Sequence, residues 1–152
     1  MNIPKLELVH PYKRRWEVRW EVIDNEKEFS CKSKEFIGKP SLDTIKKTIF
    51  DWYNQQADQK ILSTFVWNDY PVWLSTENQF NYKAEYDLAV QTNGQSLPTK
   101  FKFGIVDNPR YHTFETVDEL TDFYVNMVKH IRSVLEEYWA KKDAIDWQEY
   151  EV

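Results

Sequence analysis

Hydrophobic and polar residues alternate along two stretches of the chain, residues 15–22 and residues 99–103. A period of two is typical of a β-strand with one buried face, so both stretches predict strands. In the second stretch, Phe101 and Phe103 share one face and the two lysines share the other. The predicted buried positions of the first stretch are Trp16, Val18, Trp20 and Val22.

Shorter segments predict the partners of these two strands. Residues 5–9 favour a leading strand, and a turn at residues 24–26 favours a return strand over residues 29–36. After the second alternating stretch, a turn at residues 107–109 sends the chain back through residues 111–114. These segments predict antiparallel pairing between neighbours in the sequence.

Residues 61–92 contain a further hairpin that leads directly into a helix. Asn68 and Asp69 form its turn, because both residue types tolerate the left-handed backbone of tight hairpin turns. Ser75 offers a hydroxyl that caps the helix, and residues 93–94, Asn followed by Gly, suit its end. The apolar strand positions of this hairpin are Phe65, Trp67, Val72 and Leu74.

Two other segments have the apolar spacing of amphipathic helices. Ser41 is the expected cap of the first. The second begins at a capping box formed by Thr116 and Glu119, and runs to about residue 142, before a short tail at residues 145–147. The apolar face of the first is Leu42, Ile45, Ile49, Trp52 and Tyr53. The apolar stripe of the second is Leu120, Phe123, Tyr124, Met127, Val128, Ile131, Val134, Leu135 and Tyr138.

The order of these elements is a short strand followed by three successive hairpin–helix (ββα) units. We therefore expect an α+β fold with one or more antiparallel sheets, and with the long C-terminal helix packed on the sheet. Residues 58–60 form the weakest joint. They divide an N-terminal module, residues 1–58, from a C-terminal ββαββα module, residues 61–147, unless the two form one compact domain.

Composition narrows the class of protein. Seven Trp, nine Tyr and nine Phe against three Gly supply a large apolar area for a core, and aromatic residues are also enriched at protein interfaces. A net charge of −5 with interspersed acids and bases argues against a nucleic-acid binder. Cys31 is the single cysteine, and no stretch reaches the roughly 20 apolar residues of a membrane span. The simplest expectation is a soluble protein made in a reducing cytoplasm.

The sequence offers no recognisable catalytic motif. His10, His112 and His130 lack the spacing to a second His or Cys that a metal site requires. Cys31 lacks the signature of an activated thiol, and three glycines do not supply a phosphate-binding loop. We therefore predict no catalytic residue, no metal site and no cofactor.

A string of polar and aromatic residues follows the central hairpin. Asn78 and Gln79 have a local interpretation, as a cap and as a fastener to the hairpin, and a functional one, as contacts to another subunit. The local interpretation is favoured for Asn78, and it is open for Gln79 and Asn81. Trp67 and Trp73 are predicted to pack the hairpin. The predicted interaction residues are Trp67, Tyr70, Trp73, Glu77, Asn78, Gln79, Asn81 and Tyr82.

A resemblance to a family rests on four runs in order, FVWNDYPVWLSTENQFNYKAEYDLA, LPTKFKFG, YHTFETVDELTDFY and KKDAID. They resemble an uncharacterised family of short proteins from bacteriophages and prophages of gut bacteria. A similar module occurs toward the C-terminus of related tail and tail-fibre proteins. The resemblance covers residues 61–147, and it implies a virion or assembly role without enzymatic activity.

These observations lead us to expect a phage or prophage structural protein, associated with the tail or the head–tail connector. It would be a homo-oligomer or repeated subunit that binds other phage structural proteins, with neither nucleic acid nor membrane as partner. It would be made in the host bacterial cytoplasm and then enter the virion. One alternative is a tail-assembly helper or intracellular adaptor that does not stay in the particle. A weaker alternative is a carboxylate-based hydrolase of cell-wall glycans.

Overall fold

The computed structural model describes residues 3–151 and confirms the α+β class and the three hairpin–helix units. A leading strand, β1 (Leu6–His10), precedes them, and short 3-10 turns lie at Pro11–Lys13 and Trp147–Tyr150. The first unit comprises β2 (Arg15–Asp24), β3 (Phe29–Ile37) and α1 (Leu42–Thr64). The second comprises β4 (Phe65–Trp67), β5 (Tyr70–Val72) and α2 (Thr76–Gln91). The third comprises β6 (Thr99–Ile105), β7 (Asn108–Phe114) and α3 (Val117–Asp143).

The strands form antiparallel sheets of consecutive strands, with β1, β2 and β3 in one, β4 and β5 in a second, and β6 and β7 in a third. The described residues fall into two compact units. The terminal unit lies within Met1–Asn54 and Ala140–Val152, and the central unit is Gln55–Trp139. The joint expected at residues 58–60 lies inside α1, so the chain there is helical. No helix within residues 3–151 has the length and apolarity needed to cross a bilayer.

In the terminal unit, the alternation of β2 holds only as far as Trp20. Val18 and Trp20 are buried as predicted, as are Ile45 and Ile49 of α1, and the Trp20 ring lies 6.1 Å from the Trp52 ring of the same helix. The pairing of β2 with β3 then shifts in register between Trp20 and Ile23. Beyond this β-bulge, Val22, which was predicted to be buried, is only partly buried, and Ile23 is exposed.

Arg19 neutralises two facing glutamates on the three-stranded sheet. Glu7 and Glu17 are direct cross-strand partners, an arrangement that like charges disfavour. The Arg19 guanidinium lies 2.8 Å from a Glu7 carboxylate oxygen and 2.7 Å from one of Glu17. Burial acts to lower the pKa of Arg19, but the hydrogen bonds and charges of Glu7 and Glu17 outweigh it and raise that pKa. The arginine thus offsets the repulsion between the two carboxylates.

The predicted short tail continues as a turn that belongs to the terminal unit. The Asp146 carboxylate accepts a hydrogen bond from the backbone N–H of Gln148 (3.0 Å) and so caps this turn. Tyr150 is buried, and its hydroxyl donates to the carbonyl oxygen of Arg19 at 2.5 Å. Burial raises the pKa of Tyr150 above its ordinary value. Residues 147–150 therefore help to hold the terminal unit together.

In the central unit, aromatic side chains from β4, α2, β6 and β7 surround Phe123 of α3. The strand positions predicted to be buried in the central hairpin are buried, as are Phe101 and Phe103 of β6. This confirms the amphipathic reading of β6, whose lysines are exposed. The rings whose centroids lie 5.1–6.0 Å from that of Phe123 are Phe65, Trp67, Tyr82, Phe101, Phe103 and Phe114.

Of the two hairpin turns of the central unit, the sequence predicted the position of the first correctly and that of the second incorrectly. Asn68 and Asp69 have φ angles of 48° and 64°, the left-handed conformation expected of a two-residue hairpin turn. The turn expected at residues 107–109 is wrong by one residue, because β7 already begins at Asn108 and its Pro109 pairs with Gly104. Gly104 has a φ of 87°, and a Cβ there would lie 2.4 Å from the carbonyl oxygen of Asn108. The close approach at a glycine, not the Asn-Pro pair, determines where this hairpin reverses.

Replacing Tyr150 by phenylalanine should lower the stability of the terminal unit. Tyr150→Phe keeps the ring but leaves the Arg19 carbonyl without its donor, so we expect a loss of about 1–3 kcal/mol in the free energy of unfolding. Urea denaturation followed by circular dichroism measures this loss. Tyr12→Phe is the matched control, because the Tyr12 side chain is exposed. Equal unfolding midpoints for the two variants would contradict the role assigned to the Tyr150 hydroxyl.

Candidate interaction surfaces

Strand alternation separates the two tryptophans of the central hairpin. Trp67 is buried, whereas Trp73 is 52% exposed. Successive side chains of an extended segment point to opposite faces, so a core position at Leu74 turns Trp73 outward. The expectation that Trp73 packs the hairpin is therefore wrong.

Trp67 and Tyr82, both predicted to meet a partner, are core residues. The Trp67 indole N–H donates to an Asp122 carboxylate oxygen at 2.9 Å, which satisfies its polar group. The Tyr82 ring stacks on Phe101 with centroids 4.8 Å apart, and burial raises the pKa of Tyr82 to about 12. Since both side chains are buried, neither presents the broad surface that the interaction assignment required.

Tyr70 lies half-buried beside these rings and is covered from one side by an arginine. The Arg110 guanidinium carbon lies 4.4 Å from the centroid of the Tyr70 ring, a cation–π geometry. The same guanidinium donates to the carbonyl oxygen of Asp69 at 3.2 Å. Arg110 therefore ties the β4–β5 turn to β7, and Tyr70 serves that contact.

The amides of Asn78 and Gln79 fasten α2 to the segment before it. The Ser75 hydroxyl accepts from the backbone N–H of Asn78 at 3.1 Å, which confirms the predicted cap. The Asn78 amide donates to the carbonyl oxygen of Trp73 at 2.8 Å, and the Gln79 amide donates to that of Leu74 at 2.9 Å. The local interpretation thus holds for both residues. Of the predicted polar contacts, Glu77 and Asn81 are the exposed ones.

Trp73 lines a slot of about 430 Å³ that also reaches the tip of the β6–β7 hairpin. Ile105 and Val106 at that tip are 69% and 93% exposed. Gly104 has no side chain to fill the slot, and Lys102 adds a positive charge to its lining. We call this feature the Trp73 slot, and its lining residues are Trp73, Asn78, Tyr82, Lys102, Phe103, Gly104, Ile105 and Val106.

A second, larger and more polar groove lies between β4 and α3, with a volume of about 890 Å³. We call it the β4 groove. One wall is the segment from Thr64 to Asn68. The other wall is a row of α3 side chains, Glu119, Asp122, Asn126, Lys129, His130 and Ser133.

Polar groups of the β4 groove are engaged in hydrogen bonds within the fold. The Thr64 hydroxyl donates to the carbonyl oxygen of Lys60 at 2.5 Å and lies 3.3 Å from His130 Nε2. Its proton is therefore directed at the backbone and not at the imidazole. Burial lowers the pKa of His130, which favours its neutral form. Thr64 and His130 are thus not arranged as a nucleophile and its base.

Each acidic residue of this groove also makes a contact within the fold. Glu119 contacts His112 Nε2, so its carboxylate does not return to the cap and α3 has only half of the predicted capping box. Asp122 accepts from the Trp67 indole and, at 3.2 Å, from the Asn126 amide. Within residues 3–151, no group of three or more His, Cys, Asp or Glu side chains is arranged to hold a metal ion.

Comparison of the chain with protein-family models, with curated proteins and with solved structures gives no match. The likeness of residues 61–147 to phage proteins stays a prediction that rests on the four sequence runs.

Sequence reasoning missed Ile105, Val106 and Val66 as surface residues. A signal was present for Val106, since an apolar β-branched residue in a two-residue hairpin turn gains no burial there. A signal was also present for Val66, because alternation between the packed positions Phe65 and Trp67 turns it outward.

Truncation of Trp67 should lower the free energy of unfolding strongly, whereas truncation of Trp73 should leave it nearly unchanged. Trp67→Ala removes a buried ring and its bond to Asp122, so we expect a loss of roughly 3–5 kcal/mol in the free energy of unfolding. Trp73→Ala removes an exposed ring and should change that value by no more than about 0.5 kcal/mol. Urea titrations of both variants test this difference. A Trp73→Ala protein that unfolds as readily as Trp67→Ala would restore the original assignment.

Gln79 and Asn81 should differ in the same way. Gln79→Ala leaves the Leu74 carbonyl without its side-chain donor and should cost about 1 kcal/mol, whereas Asn81→Ala should lie within about 0.5 kcal/mol of the parent. Thermal unfolding of the two single variants measures this. If Gln79→Ala melted like the parent while its assembly failed, Gln79 would be an interface residue after all.

Proposed function

We propose that this chain is a structural subunit of a bacteriophage or prophage particle, associated with the tail or the head–tail connector, that assembles through the Trp73 slot. The observation that carries the proposal is the convergence of three large exposed apolar side chains, Trp73, Ile105 and Val106, on one concave site. Exposed aromatic residues beside a pocket are typical of the energetic centre of a protein interface. The particle itself comes from the resemblance of residues 61–147 to phage proteins.

The chemistry of the slot indicates which side chains its partner would present to it. The buried rings of Tyr82 and Phe103 line its inner side, which suits an apolar side chain. Lys102 at the same site favours a carboxylate next to that side chain. We therefore assign the slot to another structural protein of the particle that presents an apolar residue flanked by an acidic one.

The wall of the slot that carries Trp73 is held in place before any partner binds. The side-chain amide of Asn78 donates a hydrogen bond to the carbonyl oxygen of Trp73, and the hydroxyl of Ser75 accepts one from the backbone N–H of Asn78. The main chain of Trp73 is therefore anchored to the start of α2. Such preorganisation reduces the entropy lost on association. A slot with one wall fixed in this way suits a permanent assembly contact, and this contact requires neither a cofactor nor a reaction.

Loss of the Trp73 ring should remove the chain from the particle. Tagged parent, Trp73→Ala and Trp139→Ala proteins are expressed in a host that produces the phage encoding this chain, and purified particles are analysed by quantitative mass spectrometry. Trp139 is the matched control, because it is 53% exposed and does not line the slot. We expect the parent and Trp139→Ala in the particles at constant stoichiometry, and Trp73→Ala at least tenfold depleted.

Two outcomes would overturn this proposal. A parent protein that is abundant in the lysate but absent from purified particles would identify an assembly helper or adaptor. A Trp73→Ala protein that enters particles as the parent does would show that the slot is not the contact.

A further inference from the structure

The β4–β5 hairpin has two edges of unequal hydrogen-bonding capacity. Trp67 pairs with Tyr70 across the two-residue turn, Val66 pairs with Pro71, and Phe65 pairs with Val72. In an antiparallel ladder, directly opposed residues alternate between hydrogen-bonded and non-hydrogen-bonded pairs. The pair that closes a two-residue turn is hydrogen-bonded, so the N–H and C=O of Val66 point away from β5.

The residue opposite Val66 is a proline, so only one edge of the hairpin carries an outward N–H. Pro71 closes the β5 edge to a further strand, because proline has no N–H to donate. Val66 keeps both polar groups, and its side chain is 59% exposed. Proteins commonly protect such edges with lysine, proline or a covering element, and β4 has an apolar β-branched residue there instead.

The open edge of β4 forms one wall of the β4 groove, and α3 runs alongside it in the opposite direction. The Trp67 end lies at Asp122, to which the indole N–H donates at 2.9 Å. The Thr64 end lies at His130, whose Nε2 is 3.3 Å from the Thr64 hydroxyl. The edge of β4 and the helix α3 therefore lie side by side and form the two walls of an open trough.

The dimensions of this trough suit an extended chain. The α3 row from Glu119 to Ser133 covers 14 helical steps, which is about 21 Å at ~1.5 Å per residue. An extended peptide rises ~3.3 Å per residue, so about six residues span the row.

We propose that the β4 groove binds an extended peptide segment, which adds as a strand to the free edge of β4 and packs against α3. The backbone of Val66 supplies one donor and one acceptor to the peptide main chain. On the α3 wall, Ser133 adds a hydroxyl and Asn126 adds its amide oxygen, because the Asn126 amide nitrogen already donates to Asp122. Recognition is thus largely of the main chain, the mode known as β-augmentation.

The charges along α3 add a directional preference. Glu119 and Asp122 lie at the Trp67 end, and Lys129 lies toward the Thr64 end. A segment with a basic residue over the two carboxylates and an acidic residue over Lys129 complements both ends. This inference is independent of the proposed function, because it uses a different surface and needs no particle.

The test uses the full chain and a positional-scanning library of capped hexapeptides as the probe. Binding is measured by fluorescence polarisation, and the Val66 amide is followed by ¹⁵N NMR. We expect at least one pool to bind, to shift the Val66 amide signal and to slow its hydrogen exchange. Failure of every pool to bind at millimolar peptide would overturn the proposal.

Two variants of one residue then separate main-chain recognition from side-chain contact. Val66→Pro removes the outward N–H and leaves the ladder to β5 intact, because that N–H is not part of it. Val66→Thr keeps the N–H and changes only the side chain. We expect Val66→Pro to weaken binding of the selected pool about three- to tenfold, and Val66→Thr to bind as the parent does. Equal binding by parent and Val66→Pro would overturn the proposal.

N-methylation of the peptide asks the same question without altering the protein. A strand exposes every second N–H to its neighbour, so methylation of one alternate set of amides should abolish binding and methylation of the other set should not. This series decides the matter should Val66→Pro fail to fold. Equal tolerance of both methylation patterns would identify side-chain binding in the groove and refute strand addition.

Discussion

The burial of Trp67 is the constraint on which the central unit depends. Its ring contacts side chains from β5, β6, β7 and α3, and its one polar atom is satisfied by Asp122 of α3. A buried indole N–H without an acceptor costs free energy, so the position of α3 along β4 is coupled to this bond. The left-handed turn at Asn68 and Asp69 makes the arrangement possible, because it brings Tyr70 directly opposite Trp67. One residue thus aligns a hairpin, a second hairpin and a helix.

The features of this fold that could be predicted are those determined by residues close to one another in the sequence. Alternation placed β6 and the start of β2, apolar spacing placed α1 and α3, and Ser75 was identified as a cap that the structure contains. Each of these signals arises within one turn or one strand, where geometry relates spacing directly to facing. The same signals failed at the β-bulge of β2 and at the turn before Asn108. There the left-handed backbone of Glu21 (φ 50°) at the bulge, or the close approach at Gly104, outweighs the local pattern.

The candidate site was less predictable, because it depends on pairs distant in sequence. The string after the hairpin suggested a polar surface, but Gln79 reaches back to Leu74 and Tyr82 enters the core against Phe101. Neither fact follows from helical spacing, which relates α2 residues only to one another. The bond from Tyr150 to Arg19 joins residues 131 apart in sequence, and no local rule suggests it. Trp73, which the sequence singled out as a candidate contact, is exposed, so the packing role first given to it was wrong.

The same hairpin geometry explains why both proposed surfaces adjoin the Trp67 core. A two-stranded ribbon has two faces and two edges. One face is buried through Trp67, and the other turns outward just beyond β5, where Trp73 lines its slot. Of the edges, that of β5 carries Pro71, while that of β4 keeps the N–H of Val66 and lines the groove.

Burial of the hairpin face that carries Trp67 therefore has two consequences for the other residues of the hairpin. Because Trp67 and Leu74 are fixed inward, alternation fixes Trp73 outward and sets Val66 opposite Pro71 at the groove. A substitution that shifted the register of β4 by one residue would turn Trp67 out of the core and remove both surfaces together. The slot and the groove thus share a structural requirement with the core, whereas their chemistry differs, apolar side chains in the one and main-chain hydrogen bonds in the other.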